Sequence, residues 1–388
     1  MKVLIVNTLY YPYKIGGAEI SVQSLAEEFS IVGITVGVLT LGETDNFEEV
    51  NNIAVWRLKI ENTFWPFSSH SKSKLSKLNW HIKDTNNKRY DKKINTIFNS
   101  FKPDVLFTNN LAGFSTRIWQ LAKFKNIKTV HTIRDYYLQC PKTTKFKNDS
   151  NCNTLCLDCK ALTSLKKRNS KNLDYVIGIS NYVLQDHLKQ GYFKDVKSEV
   201  VYNGFKFNYT PRKIKFLNKN EVIFGYIGQI NKEKGVELML DSFNNLKHNT
   251  EWRLLVAGKV ETEYLSQLKS INNSDKITYL GYTNSKSFFK KIDVLIVPSQ
   301  WNEPFGRVVL EAIINNTIVI TSKKGGINEI MKHNQNLTFN TNSADMSNLI
   351  DEIIKKREHI SFNYSPEFMA KFNIKNTVLK YSKIFSEI

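Results

Sequence analysis

Short apolar runs alternate with amphipathic stretches along almost the whole chain. The runs at 2–8, 34–40, 53–60, 104–108, 127–133, 174–180 and 198–202 are nearly continuous, the pattern of strands buried on both faces. After residue 210 the pattern resumes at 221–228, 252–257, 276–281, 293–298, 317–321 and 336–339. Between them, stretches such as 17–32, 114–125, 181–190, 235–247, 259–271, 284–291, 306–315 and 343–358 carry the period of amphipathic helices. Regular alternation of strand and helix predicts parallel sheets with right-handed crossovers, a doubly wound α/β chain. Residues 205–220, with Pro211 and clustered Lys and Asn, read as a linker. Two sheets in series suit a chain of 388 residues. The expected domains are 1–205 and 206–371, followed by a Lys-rich amphipathic helix over about 372–388.

The stretch with the most chemistry is Glu303-Pro-Phe-Gly-Arg-Val-Val-Leu-Glu311. It follows the apolar run Val294–Val297, and Pro304 and Gly306 interrupt the chain before helix-forming residues. Backbone N–H groups at Phe305, Gly306 and Arg307 are expected at a helix N-terminus, where a phosphate is favoured. Glu303 and Glu311 beside such an anion site suit a hydroxyl-rich ligand, because a carboxylate can accept two hydrogen bonds from a diol. Phosphate together with diols describes a nucleotide sugar.

This Glu-x7-Glu spacing, with Pro-Phe-Gly inside it and a strand before it, resembles the signature of retaining glycosyltransferases of family 4. The resemblance implies the GT-B fold: two Rossmann-like, doubly wound parallel-sheet domains facing a cleft, with the C-terminal helix packing back on the first domain. It also implies that Glu311 binds the ribose hydroxyls and that Glu303 sits at the donor sugar. Gly16-Gly17-Ala18-Glu19, at the first strand-to-helix turn, is similar to the family's glycine loop, which faces the diphosphate and acceptor. The segment Phe224–Gly235 resembles the part of the family in which an arginine and a lysine contact the diphosphate. Lys234 matches; Gln229 stands where the arginine is expected. That exchange replaces a charged planar fork by a neutral amide and costs about 1.5–3 kcal/mol of contact to the leaving group.

Family members carry a His, often His-Asp, at a strand end near the transferred sugar. Here either His131 is the equivalent or Arg134-Asp135 replaces the pair, and His131 and Asp135 are both taken as catalytic candidates with Glu303. Ile179-Ser180, Asn203-Gly204 and Gly325–Glu329 follow in family order, so the resemblance covers nearly the whole chain and is weakest over 62–100. It implies transfer of a sugar from a nucleotide diphosphate donor to a hydroxyl acceptor with retention. The implied acceptor is a lipid-linked glycan of bacterial surface polysaccharide. The chain lacks Asp-x-Asp, so no cofactor is expected for catalysis. The rival readings are a GT-B sugar-nucleotide epimerase and, prompted by Gln229, a non-catalytic nucleotide-sugar-binding module.

Charge and cysteines add three expectations. The net charge of +19 is uneven: residues 62–147 hold 17 Lys and Arg against 4 Asp and Glu. Over 64–93, Phe64, Trp65, Phe67, Trp80 and Tyr90 interleave with Lys72, Lys74, Lys77, Lys83, Lys88, Arg89, Lys92 and Lys93. A basic, aromatic segment suits an anionic membrane surface, with Trp65 and Trp80 at headgroup level. Nucleic acid is not expected, since no recognisable RNA- or DNA-binding module is present. Cys140, Cys152, Cys156 and Cys159, spaced C-x11-C-x3-C-x2-C, could hold a structural zinc; an iron–sulfur cluster or plain reduced thiols are the alternatives. The first apolar run stops at Val6, too short for a signal peptide, and no run reaches the ~18–20 residues of a membrane span. The expected location is cytoplasmic, peripheral at the inner face of the cell membrane.

Overall fold

The continuous apolar runs become the central strands of two separate parallel sheets. The structure is a computed structural model that describes residues 1–65, 72–209, 216–218, 220–247, 252–360 and 364–388. Pro211 of the expected linker and Phe67 of the basic segment lie outside the described residues. The chain divides into two units: one of 1–145, 152–206 and 370–388, the other of 146–151 and 207–369.

The first unit is built on an eight-stranded sheet. Its strands are β1 (Lys2–Val6), β2 (Thr35–Gly42), β3 (Asn46–Val50), β4 (Ile53–Lys59), β5 (Val105–Thr108) and β6 (Lys128–Ile133), then β9 (Tyr175–Gly178) and β10 (Lys197–Val200). Between them in the chain, β7 (Phe146–Lys147) and β8 (Ser150–Asn151) form a hairpin that belongs to the second unit. The sheet order is β10-β9-β6-β5-β1-β2-β4-β3, parallel except for β3 against β4. Val3 to Val6 are fully buried because β1 is paired on both edges and covered on both faces. The order reverses between β1 and β5, which opens a ligand crevice at the carboxyl ends of those strands.

The last helix, Ile374–Glu387, is part of this unit. Tyr381 and Phe385 pack with Phe29 and Phe107, ring centroids 5.1–6.2 Å apart, and the Tyr381 hydroxyl lies 3.0 Å from Thr132 Oγ1. Its entry is fixed by backbone bonds from Phe205 N–H to the Phe372 carbonyl (2.8 Å) and from Ile374 N–H to the Phe205 carbonyl (3.0 Å).

The second unit carries β11 (Val222–Ile227), β12 (Trp252–Ala257), β13 (Ile277–Gly281), β14 (Val294–Val297), β15 (Ile318–Ser322) and β16 (Thr338–Phe339). Their order is β13-β12-β11-β14-β15-β16, all parallel, with the reversal between β11 and β14.

The hydrophobic pattern misses several elements. β3 joins β4 through Asn51-Asn52, both at positive φ, the turn that a two-residue hairpin requires. The hairpin β7–β8 and the helices Lys74–Thr85, Asp91–Phe101 and Leu157–Asn169 are further elements that the pattern does not predict. Helix Lys74–Thr85 has an inverted pattern. Leu75, Leu78 and Ile82 are exposed, whereas Trp80 and Asp84 are buried. Asp84 is satisfied by Gly113 N–H (2.6 Å), the Tyr137 hydroxyl (2.6 Å) and the Lys166 ammonium (3.2 Å). Trp80 donates its indole N–H to the Phe64 carbonyl at 3.1 Å. The headgroup role expected of Trp80 is therefore corrected: its ring is 6% exposed and serves packing. Among the described residues, no helix is long and apolar enough to cross a membrane.

Candidate active site

In the second unit three loops leave the carboxyl edge of the sheet: after β11, β14 and β15. Two glycines let them interlock. A Cβ on Gly235, at φ 73°, would lie 2.0 Å from the Pro298 carbonyl oxygen; one on Gly325, at φ 58°, would lie 2.2 Å from the Glu303 carbonyl oxygen. Any other residue would push the loops apart or strain the backbone. Gly326 N–H adds a bond to the Glu303 carbonyl at 2.7 Å.

This packing delivers Lys234, after β11, to Glu303, after β14, at the point where the strand order reverses. The Lys234 ammonium donates to Glu303 Oε1 at 2.6 Å, and Ser299 Oγ donates to the same oxygen at 2.7 Å. Burial pushes the Glu303 carboxyl up, but Lys234, Ser299 and the Trp301 indole N–H outweigh it and hold the carboxyl below its ordinary range. Lys234 Nζ also lies 5.0 Å from the centroid of the Trp301 ring. Ser299 and Trp301 were missed by the sequence reading; their signal was their place between the buried strand and Glu303.

Gly306, at φ 99°, caps the helix Arg307–Ile314, and Phe305 is buried beneath it. Arg307 donates to Glu311 Oε1 at 2.8 Å, one turn along. The two carboxylates of the Glu-x7-Glu pair thus each carry a cation. Gln229 is exposed, and its carbonyl accepts from the Tyr226 hydroxyl at 2.6 Å.

In the first unit the glycine turn follows β1, at that unit's own reversal point. Gly16 caps the helix Gly17–Ile31, and its N–H donates to Glu19 Oε2 at 2.9 Å. Within the loop expected to face the diphosphate and acceptor, this N–H is taken by the protein's own carboxylate. Asp135 stands two residues beyond the end of β6. Its Oδ1 accepts from Tyr137 N–H at 2.8 Å. Burial first, then the neighbouring Glu19 charge, raise its carboxyl to about 6 against the pull of Tyr137 N–H, Lys166 and Arg134.

His131 is elsewhere. It sits inside β6, 3% exposed, with Nδ1 2.9 Å from Thr108 Oγ1 and its ring against Trp119 and Phe193. Burial, with His187 and Arg134 nearby, lowers its pKa to about 3, so the imidazole is neutral at ordinary pH. The strand carries His131, a catalytic candidate of the sequence, into the sheet's covered layer, two residues before its end. Arg134 is a brace, donating to Asn109 Oδ1 and Asn203 Oδ1, both at 2.7 Å. Ser180 is a helix cap, accepting from Val183 N–H at 3.1 Å. Gly204 admits the start of the last helix, since a Cβ there would meet Ile374 Cα at 2.7 Å.

The thiol of Cys159 interacts with those of Cys156 and Cys140, and burial and these neighbours push it up. As the side chains stand, no group of three or more His, Cys, Asp or Glu among the described residues is arranged to hold a metal ion.

Residues 15–208 match the family described as Glycosyltransferase Family 4, and residues 210–362 match Glycosyl transferases group 1. A Klebsiella pneumoniae protein, described as uncharacterized and in the cps region, is 35% identical over 370 residues, 93% of this chain and 97% of its own. The Staphylococcus aureus capsular polysaccharide biosynthesis glycosyltransferase CapM is 29% identical over 179 residues, 41% of this chain and 44% of its own. Among solved structures, Anabaena HepE in complex with UDP superposes with a TM-score of 0.73 at 17% identity, covering 100% of both chains. Two doubly wound units with these neighbours define a glycosyltransferase of the GT-B fold. The chain belongs to glycosyltransferase family 4.

The raised Asp135 carboxyl has a measurable consequence. A carboxyl with a raised folded-state pKa favours the folded protein when protonated. Its contribution is full below about pH 4 and is lost as pH rises through about 6. In urea unfolding, the difference in stability between wild type and Asp135→Asn should vary with pH by this contribution; a pH-independent difference would contradict the burial of that carboxyl.

Proposed function

We propose that the chain is a retaining glycosyltransferase that moves a sugar from a nucleotide diphosphate donor to a hydroxyl of a lipid-linked glycan in bacterial surface-polysaccharide synthesis. The observation that carries this reading is the 2.6 Å Lys234–Glu303 pair at the strand-order reversal, with Arg307–Glu311 one helix turn beyond. Glu311 accepts the ribose diol, Lys234 and Arg307 take the diphosphate charge, and Glu303 faces the donor sugar. Asp135, at the carboxyl edge of the first unit's sheet, serves the acceptor hydroxyl. The relative from the cps region and the neighbour solved with UDP support the surface-polysaccharide setting and the donor class. Exposed Tyr11, Tyr13 and Ile15, on the loop leading to Gly16, support an acceptor with an apolar part. The exposed Gln229 in the arginine's place favours one second reading, a nucleotide-sugar-binding module without turnover.

A panel of UDP, GDP and their sugars should raise the melting temperature with one base preferred, because a ligand of the native state stabilises it. Glu311→Ala should weaken the preferred donor by about 1.5–3 kcal/mol in calorimetry. Lys234→Ala should cut turnover more than stability, since the lysine stabilises charge on the leaving diphosphate. Wild-type turnover in Lys234→Ala would remove it from the site. Donor binding with no transfer and no hydrolysis would favour the binding module.

The acceptor places the enzyme at an anionic bilayer, and the helix Lys74–Thr85 is the surface suited to it. Leu75, Leu78 and Ile82 are 80%, 46% and 53% exposed, and their spacing puts them on one face. Exposed Lys74 and Lys77 lie on the same helix. Burying an aliphatic side chain contributes about 1.5–3 kcal/mol, and each lysine near an anionic surface about 1 kcal/mol. Replacing Leu75, Leu78 and Ile82 together by Ser should lower binding to anionic liposomes at least tenfold by co-sedimentation. Unchanged binding would remove this helix from the membrane reading.

The nearness of the Cys159 thiol to those of Cys156 and Cys140, with Cys152 close in sequence, supports a structural zinc. Catalysis itself is proposed to need no metal. Elemental analysis of protein made without a metal-affinity tag should find about one zinc per chain. Brief EDTA treatment should leave turnover intact. Folded, metal-free protein would overturn the zinc, and rapid Mg²⁺-reversible loss of activity would overturn metal-independent transfer.

A further inference from the structure

Six residues embedded in the first unit's sequence belong to the second unit. Phe146 to Asn151 fold into the hairpin β7–β8, with Phe146 opposite Asn151 and Lys147 opposite Ser150. Its turn residues, Asn148 and Asp149, have φ of 51° and 58°, the left-handed conformation that Asn and Asp tolerate best. The tip and the last residue of this hairpin both reach the loops of the candidate active site.

Asn151 uses its side-chain amide at both ends. Its Nδ2 donates to the Gln300 carbonyl at 2.8 Å, and its Oδ1 accepts from Asn302 N–H at 2.7 Å. One side chain therefore clamps the backbone on either side of Trp301. Asp149 pairs with Lys232 at 3.0 Å, on the short helix that ends in Lys234. Gln300 and Trp301 N–H groups donate to the Glu233 carbonyl at 2.9 and 3.3 Å, which ties the two loops to each other. The Asp149–Lys232 pair is exposed on both sides, so solvent screens it and it holds little. The Asn151 bonds are shielded and directional, and they are the part of the clamp that fixes geometry.

We propose that Asn151 is a positioning residue for donor chemistry: it sets the backbone at Trp301 and so the placement of the Lys234–Glu303 pair. The proposal rests on the reading that this pair handles the donor. Loss of the clamp lets the 299–303 loop drift, and sub-ångström misplacement of a catalytic pair costs turnover before it costs fold stability.

The test uses the full chain with Asn151→Ala, Asn151→Asp and, as control, Asp149→Ala. Two readouts separate the proposal from the reading beneath it. The first is the indole N–H resonance of Trp301 in tryptophan-labelled protein, assigned with Trp301→Phe. The second is hydrolysis of the UDP- or GDP-sugar that the wild type turns over. Asn151→Ala should move the indole resonance and lower kcat at least tenfold, with KM changed less than threefold and the melting temperature near wild type. Asn151→Asp keeps the acceptor toward Asn302 and loses the donor toward Gln300, so it should fall between. Asp149→Ala should match wild type in both readouts. An unmoved indole in Asn151→Ala overturns the proposal. So does wild-type kcat in Asn151→Ala when Lys234→Ala is inactive. If Lys234→Ala retains full turnover, the donor reading fails, and the indole resonance alone decides whether Asn151 positions the loop.

Discussion

The second unit's carboxyl edge depends on one contact, the Lys234 ammonium held against the Glu303 carboxylate. Both side chains are largely withdrawn from water, at 24% and 13% exposure, so each charge gains from the nearness of the other. Attraction offsets the desolvation, and Ser299 supplies a further hydrogen bond to the same oxygen. The close approach that makes this possible is set by backbone, not side chain: Gly235 against Pro298 and Gly325 against Glu303. A preformed pair has a consequence for the proposed chemistry: a lysine already oriented would need little reorganisation as negative charge develops on a leaving diphosphate.

The first unit uses buried polar groups in another way. Arg134 ties Asn109, after β5, to Asn203 near the end of the unit's main chain segment. Asp84, Tyr137 and Lys166 form a fully buried group in which the lysine also lies 3.3 Å from the Tyr137 ring centroid. Burial drives the Asp84 carboxyl up and the Lys166 ammonium down, each toward its neutral form, and the pairing opposes both. Such networks are weak sources of stability but exacting about geometry. They hold the segment that presents Asp135, whose raised carboxyl is the one acidic group at the end of β6 poised to change charge near neutral pH.

The sheets were legible in the sequence because parallel strands buried on both faces must be apolar throughout, and few other segments can be. β3 and the hairpin β7–β8 were not, because they are short, polar and made by Asn and Asp turns. The candidates of the second unit could be named from sequence because Lys234 and Glu303 lie on connections between elements, and Arg307 and Glu311 on the helix that follows, whose strand and glycine context is written locally. The burial of His131 was not legible for a reason of phase. A histidine near the end of an apolar run looks exposed, yet two further residues of β6 follow it, and its alternate position faces the covered layer. Asn151 was invisible because its partners, Gln300 and Asn302, lie about 150 residues away.

Helix Lys74–Thr85 is the element where pattern and fold disagree most, and the disagreement is informative. Its large aliphatics face water and one of its buried side chains is a carboxylate, the reverse of what stabilises a surface helix. The helix is kept by inward polar bonds: Asp84 to three partners, and Trp80 to the Phe64 carbonyl. Ser73 adds a cap by accepting from Ser76 N–H. Leu75, Leu78 and Ile82 add less to attachment than their size allows, because much of their apolar area stays in water. A sequence that needed only a stable helix would place polar residues there at no loss. Apolar area left exposed on a helix that also carries exposed Lys74 and Lys77 is the physical ground for the proposed anionic, apolar docking surface.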